Sequence, residues 1–361
     1  MELKTVGAPA QLYRESGDGR IICTACARYC KLKEGQMGLC GVRGVFDGVL
    51  RLLVYGRVIT GHVDPIEKKP VTHYMPGTKI FSIATTGCNW LCAYCQNFDI
   101  SQRRKVEGVE ASPEQVVELA LRYGSDGIAY TYNEPSIFME YAHDIGVIAR
   151  KKGLINIFVT NGFWTPDAVS MANEFLDCAT VDFKGSGEQQ FVQKYIGIPS
   201  AEPVFETLLE IKRRTKIHLE ITDLIVPNIG DSLEAARRLC RWVYENLGPE
   251  TPIHFLRFHP DYKLLHLPWT PVETLEKHCE IAKEEGLVYV YVGNVPGHPL
   301  ENTYCPGCGA MVVERHGFDI VDWKLVADNR CPSCGYKVHI VGKPPARRVS
   351  SRRRFIPVNL K

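Results

Sequence analysis

From about residue 77 to residue 292, short apolar, β-branched runs alternate with amphipathic stretches. The runs at 79–85, 127–132, 156–160, 180–183, 217–226, 253–258 and 288–292 lack a polar face, which predicts strands buried on both sides. Between them, 137–152, 166–175, 203–214, 232–246 and 272–285 carry apolar residues at helical spacing. A further helix opens at Ser112-Pro113-Glu114, a cap followed by proline at the first helical position, and stops at Gly124. Strand, helix, strand at this spacing predicts a parallel sheet with right-handed crossovers. The expected fold is α/β: a partial (β/α)6-type parallel, TIM-like barrel, with its site at the C-terminal strand ends.

The flanks break the pattern. Residues 1–45 are rich in Gly and Cys with little periodicity, and 50–60 read as a short hairpin or strand. After Pro299 a compact Cys-Gly-Pro module runs to about Gly342. The division expected is 1–70, a cysteine-rich metal module and hairpin; 71–299, the barrel; 300–342, a rubredoxin- or zinc-ribbon-like module; and 343–361, a mobile basic tail with five arginines.

Composition narrows the class. Of 361 residues 45% are apolar and 23% charged, which suits a folded protein with a sizeable core and excludes a fibre or a disordered chain. No run reaches the length of a membrane span, and MELKTVGAPAQLYRE lacks the apolar stretch of an export signal. A net charge of +2 gives no strong field for nucleic acid or an anionic membrane. The unusual number is 14 cysteines. In the reducing cytosol expected for such a chain, clustered cysteines read as metal ligands before disulfides.

Eleven of them fall into three groups: Cys23, Cys26, Cys30, Cys40; Cys88, Cys92, Cys95; and Cys305, Cys308, Cys331, Cys334. Cys178, Cys240 and Cys279 stand alone in apolar or helical stretches and are expected as small buried hydrophobes. The C-terminal group is two C-P-x-C-G knuckles 22 residues apart, a spacing for one tetrahedral four-thiolate site. Zinc or mononuclear iron fits it, since both accept four thiolates. The N-terminal group also offers four thiolates, irregularly spaced among Arg28, Lys31, Lys33 and Arg43; zinc or an auxiliary iron–sulfur cluster would suit.

The sharpest signal is Cys88-Asn-Trp-Leu-Cys92-Ala-Tyr94-Cys95, directly after the first predicted barrel strand. Full ligation of a [4Fe–4S] cluster takes four cysteines, so three leave one iron open. A structural zinc with a borrowed fourth ligand is the plain alternative. C-x3-C-x2-C with an aromatic before the last cysteine resembles the signature of the radical S-adenosylmethionine (SAM) superfamily. The resemblance implies that the open iron chelates SAM and that a 5′-deoxyadenosyl radical forms and abstracts hydrogen.

Later strand ends extend the resemblance. Asn133-Glu134-Pro135 stands where the superfamily has Gly-Gly-Glu, which implies that Glu134 pairs with the SAM ammonium; the alternative is a helix-start carboxylate. Thr160-Asn161-Gly162 and Asp182-Phe183-Lys184 are similar to the TNG and D-x-K elements of pyruvate formate-lyase activating enzymes, which touch SAM. Val159 replaces the aspartate that helps those enzymes bind a monovalent cation, which puts that cation site in question. Arg257-Phe258-His259 with Lys263 resembles their P-F-H…K stretch and would set His259 beside the adenosine. The implied SAM surroundings are thus Tyr94, Glu134, Asn161, Asp182, Lys184 and His259.

Nearly the whole chain resembles a narrower family, the radical SAM enzyme of the AmmeMemoRadiSam system. The motifs are C-x2-C-x3-C with G-x-C-G-V-R (Cys23 to Arg43), D-P-I-E-K-K-P (Asp64 to Pro70), Y-T-Y-N-E-P (Tyr130 to Pro135), G-N-V-P-G (Gly293 to Gly297) and the paired knuckles. This implies Memo-like and AMME-syndrome-candidate-like partner proteins and a low-potential donor such as ferredoxin or flavodoxin. An activating enzyme for a glycyl-radical enzyme is the first alternative. A zinc-ribbon protein that binds nucleic acid through its basic tail is the non-enzymatic one, and near-zero net charge disfavours it. Apart from the family, Asp64–Pro70 reads as a loop with Lys68 and Lys69 solvated.

Overall fold

The computed structural model describes residues 6–344 and 356–360. Seven parallel strands follow one another: Lys79–Ala84, Gly127–Tyr130, Ile155–Thr160, Cys178–Lys184, His218–Ile225, Ile253–Arg257 and Val290–Gly293. Each pairs with the next, and helices such as Pro113–Arg122, Met139–Lys151 and Glu202–Arg214 return the chain between them. The expected cap is present: Ser112 Oγ accepts from Gln115 N, and Ser112 N donates to Gln115 Oε1 at 2.7 Å. Cys178, Cys240 and Cys279 are all buried in the apolar interior.

The sheet does not close into a barrel. Beyond the first parallel strand, Thr60–Pro65 pairs with it antiparallel, and Ile356–Pro357 then pairs antiparallel with Thr60–Pro65. The stretch 50–60, expected as a hairpin or strand, holds most of the second arm of a hairpin, Arg43–Phe46 with Val49–Leu52, and leads into Thr60–Pro65 of the main sheet. One expectation is corrected here. The end of the chain is not all mobile tail: Ile356 pairs with Val63, Val358 is buried, and proline is tolerated because this strand is at the sheet edge. The arginine-rich stretch 345–355 lies outside the described residues.

The N-terminal residues form small antiparallel pairings, including Tyr13–Glu15 with Ile21–Cys23, and dock on the helix Met139–Lys151 through Glu140. That buried carboxylate accepts from Gln11 N at 2.9 Å and Leu12 N at 3.1 Å and forms an ion pair with buried Arg43. The C-terminal module is a three-stranded antiparallel sheet, Thr303–Tyr304, Met311–His316 and Asp319–Trp323. Its core (Val312, Val313, Val338) is continuous with Tyr289 and Tyr291 at the last parallel strand. Across that seam His73 Nδ1 meets His339 O at 2.5 Å, and Nε2 meets Tyr291 Oη at 2.6 Å.

Candidate active site

At the C-terminal ends of the strands lies a cavity of about 460 Å³ whose wall includes Cys88, Cys92 and Cys95. Gly87 turns the chain out of the first strand at φ +89°, where a Cβ would meet Cys40 O at 2.4 Å. The cysteine loop is then held by backbone: Leu91 N donates to Ile196 O at 2.9 Å, Ala93 N to Tyr195 O at 2.8 Å, and Lys263 N to Ala93 O at 2.9 Å. The first two acceptors belong to a π-helical turn, Val192–Ile196, a local irregularity common at functional sites. Burial pushes the Cys92 thiol up to about 12 and Cys88 well above the usual range. A cation bound to the sulfurs would hold such groups as thiolates.

Tyr94 stacks on Phe191 at 5.8 Å between ring centres and lines the cavity. Asp182 Oδ2 accepts from Lys184 Nζ at 3.0 Å, and Thr222 donates to its other oxygen. The Lys184 charge favours the thiolate of both Cys92 and Cys95. Asn161 lines the wall and donates from Nδ2 to Asn89 Oδ1 at 2.7 Å. Buried Glu134 accepts from four donors: Ser136 N at 3.0 Å, Thr160 Oγ1 at 2.8 Å and Trp164 Nε1 at 3.2 Å on Oε1, and Asn161 N at 2.8 Å on Oε2. Its helix-start role is therefore real, as the cap of the turn Pro135–Phe138, and it also lines the cavity. His259 is outside the wall. Its Nδ1 donates to Asp261 Oδ2 at 3.0 Å, and its Nε2 meets Gln96 Nε2, a wall residue, at 2.7 Å.

Sequence reasoning missed one side of this cavity. Lys69 is buried rather than solvated, its Nζ 2.7 Å from Asp64 Oδ2, while half-buried Lys68 holds Oδ1 at 2.9 Å. Tyr132 Oη donates to the same Asp64 at 2.7 Å, and the Lys69 ammonium sits 4.9 Å from the Tyr132 ring centre. Burial brings Lys69 down to about 8 despite the carboxylate. A lysine-rich loop gives no local sign of this, because the burial comes from the strand end at Tyr132. Asn133 was passed over as well. Its Nδ2 donates to Gly87 O at 2.9 Å and so fixes the entry to the cysteine loop.

The residues present fit a cluster and SAM. Two wall residues, Trp90 and Asn133, keep a buried polar atom with no hydrogen-bond partner, as walls facing a polar cofactor do. With the three thiols, the Glu134 and Asp182 carboxylates and the Lys184 ammonium, they offer metal ligands and groups of both charges.

Both terminal cysteine groups assemble. The sulfur atoms of Cys305, Cys308, Cys331 and Cys334 all lie within 4.8 Å of one another, close to the roughly 3.8 Å of a tetrahedron with 2.3 Å bonds. Gly309 and Gly335, at φ +73° and +75°, let backbone amides face the sulfurs. Tyr336, two residues after Cys334, donates to Glu250 Oε1 at 3.0 Å, ahead of the sixth strand. This site therefore lies at the strand ends opposite the cavity. Cys23, Cys26, Cys30 and Cys40 ring a small cavity of their own, next to Asn89.

Residues 82–243 match the family model described as the radical SAM superfamily. These residues form a radical SAM superfamily domain, and such a domain implies an enzyme. It is 43% identical over 335 residues to the uncharacterized protein MJ0808 of Methanocaldococcus jannaschii, covering 92% of this chain and 99% of that one. Solved structures with a similar sheet include a domain of a pyruvate-formate lyase-activating enzyme from Bacteroides vulgatus (14% identity, 47% of this chain and 100% of that one, TM-score 0.41). Another is a radical SAM methyltransferase from Sphaerobacter thermophilus (14% identity, 60% of this chain and 66% of that one, TM-score 0.48). Among the described residues, no helix is long and apolar enough to cross a membrane.

Proposed function

We propose that the chain abstracts hydrogen from a substrate within a multi-protein system of Memo-like and AMME-type proteins. The observation that carries the chemistry is the convergence of Cys88, Cys92, Cys95, Tyr94, Glu134, Asn161, Asp182 and Lys184 on one cavity at the strand ends. When bound, the [4Fe–4S] cluster and SAM supply a 5′-deoxyadenosyl radical. The chain's own residues do the positioning. Lys184 offsets thiolate charge, Asn161 and Asn133 hold the cysteine loop, and Glu134 offers a buried carboxylate to the SAM ammonium. His259, held at the rim by Asp261 and Gln96, serves the adenosine end.

The C-terminal quartet takes one ion, zinc by preference, in a structural role. Its position at the far strand ends weighs against an iron that feeds electrons to the cavity. A reduced ferredoxin or flavodoxin is the donor we favour, and cysteines grouped as metal ligands rather than paired in disulfides suit a cytosolic enzyme. The test is to incubate the reduced, cluster-loaded chain and SAM with the partner proteins. Loss of one hydrogen from a partner, recovered as a new covalent product by mass spectrometry, supports the reading. A stable glycyl doublet by electron paramagnetic resonance would replace it with the activating-enzyme reading.

A further inference from the structure

The four N-terminal thiols are neighbours, yet they do not collapse onto a point. Cys23, Cys26, Cys30 and Cys40 ring a cavity of about 10 Å³. Four thiolates around one ion leave no such space, because 2.3 Å bonds draw the sulfurs to about 3.8 Å from one another. The C-terminal quartet has that tight geometry. Among the described residues, no three of the N-terminal sulfurs lie within 4.8 Å of one another, and neither do those of Cys88, Cys92 and Cys95. The N-terminal cage and the cluster loop thus both lack the tight spacing of the C-terminal quartet, and the cage has a fourth cysteine. A polynuclear centre gives each thiolate its own iron and needs the wider spacing.

The cage also presses on the cluster loop. Gly87, which precedes Cys88, has room only for a hydrogen against the Cys40 carbonyl. Asn89 belongs to the cage wall, lies against the Cys26 thiol and follows Cys88 directly. Arg28 donates from Nε to Asn89 O at 3.0 Å and from Nη2 to Gly197 O at 2.7 Å. Its charge acts on thiols of both groups, Cys26 and Cys30 as well as Cys88 and Cys92. Arg43 is buried beside Cys23 and Cys40, with its charge shared with Glu140, and so ties the cage to the helix Met139–Lys151.

We infer that Cys23, Cys26, Cys30 and Cys40 hold a second, fully ligated [4Fe–4S] cluster seated against the loop of the first. This does not depend on which substrate loses hydrogen. The experiment uses the full chain, purified and reconstituted without oxygen, with iron, sulfide and zinc counted per chain. About eight irons and eight sulfides, with one further metal for the C-terminal site, are expected. A variant with Cys88, Cys92 and Cys95 all changed to Ala should keep about four irons and a reducible cluster signal in electron paramagnetic resonance. That variant leaves the N-terminal cage untouched, and its C-terminal metal reports that the chain has folded. In the reduced wild type, the two neighbouring spins should broaden one another. About four irons with two zincs in the wild type would overturn the inference, as would an iron-free triple variant that retains its C-terminal metal. Neither result would touch the assignment of Cys88, Cys92 and Cys95.

Discussion

Asn161 donates its side-chain amide to Asn89 Oδ1 at 2.7 Å, fastening the end of the third parallel strand to the residue beside Cys88. Its own Oδ1 accepts from Phe163 N at 3.0 Å, so the rotamer is fixed from both ends. Phe163 O in turn accepts from Ala27 N at 3.0 Å, and Ala27 adjoins Cys26. One short chain of contacts thus joins the N-terminal cage, the third strand end and the cluster loop. Positions so coupled respond together, and mutations in them should not be additive.

Glu134→Gln keeps the shape of a carboxylate that accepts from four donors but turns one oxygen into a donor. Loss of a charge-assisted bond of this kind is worth about 1.5–3 kcal/mol, so the dissociation constant for SAM should rise roughly 10- to 150-fold. Equilibrium binding of SAM to the cluster-loaded variant, with thermal denaturation alongside, checks this. A lower melting temperature with unchanged SAM affinity would leave Glu134 only its role as the cap of Pro135–Phe138.

Much of the site was readable from sequence because it is local to strand ends. Cys88–Cys95, Glu134, Asn161 and the Asp182/Lys184 pair each follow an apolar run, and the open ends of parallel strands gather them. What was not readable is long-range. Glu140 is an ordinary helix residue in sequence, yet it anchors Gln11, Leu12 and Arg43, about a hundred residues earlier. Lys69 carries no sign that Tyr132 will bury it, and Ile356 none that it will pair with Val63. The lone His259 stands at the rim and reaches the wall through Gln96, a contact its sequence position does not show.

The two metal groups should fail differently. Cys92→Ala removes a cluster ligand and should abolish SAM cleavage with little change in melting temperature. Cys308→Ala breaks a compact four-thiolate site whose metal binding is coupled to folding, so the melting temperature should fall first. Calorimetry beside metal analysis separates them. Full stability in Cys308→Ala with loss of electron uptake would show that module to be redox-active.

Lys69→Met takes the ammonium at 2.7 Å from buried Asp64 and leaves Lys68 and Tyr132 to hold that carboxylate. Breaking a buried pair from one side costs about 3–5 kcal/mol, and the surviving partners put this case near the lower end. Chemical denaturation should show that loss, and Asp64→Asn in the same chain should restore part of it. A neutral Lys69→Met would mean that the pair is not buried in solution.

His73 ties the sheet to the C-terminal module as a neutral imidazole, and burial brings it down to about 3. Between about pH 6.5 and 3 the unfolded chain binds this proton and the native one does not. Stability therefore rises with pH through that window and is lost as pH falls. His73→Gln should flatten the slope by up to about 1.4 kcal/mol per pH unit, one proton's worth, in denaturation curves taken from pH 7 to 4. An unchanged slope would mean that His73 is not the group responsible.

The central claim is that Cys88, Cys92 and Cys95 support reductive cleavage of SAM. The direct measurement is 5′-deoxyadenosine, quantified by chromatography after the cluster-loaded chain is reduced without oxygen in the presence of SAM. The wild type should form 5′-deoxyadenosine and methionine in equal amounts, and Cys92→Ala should form neither. A wild-type chain that holds its cluster, binds SAM and yields no 5′-deoxyadenosine with a low-potential reductant would contradict the account.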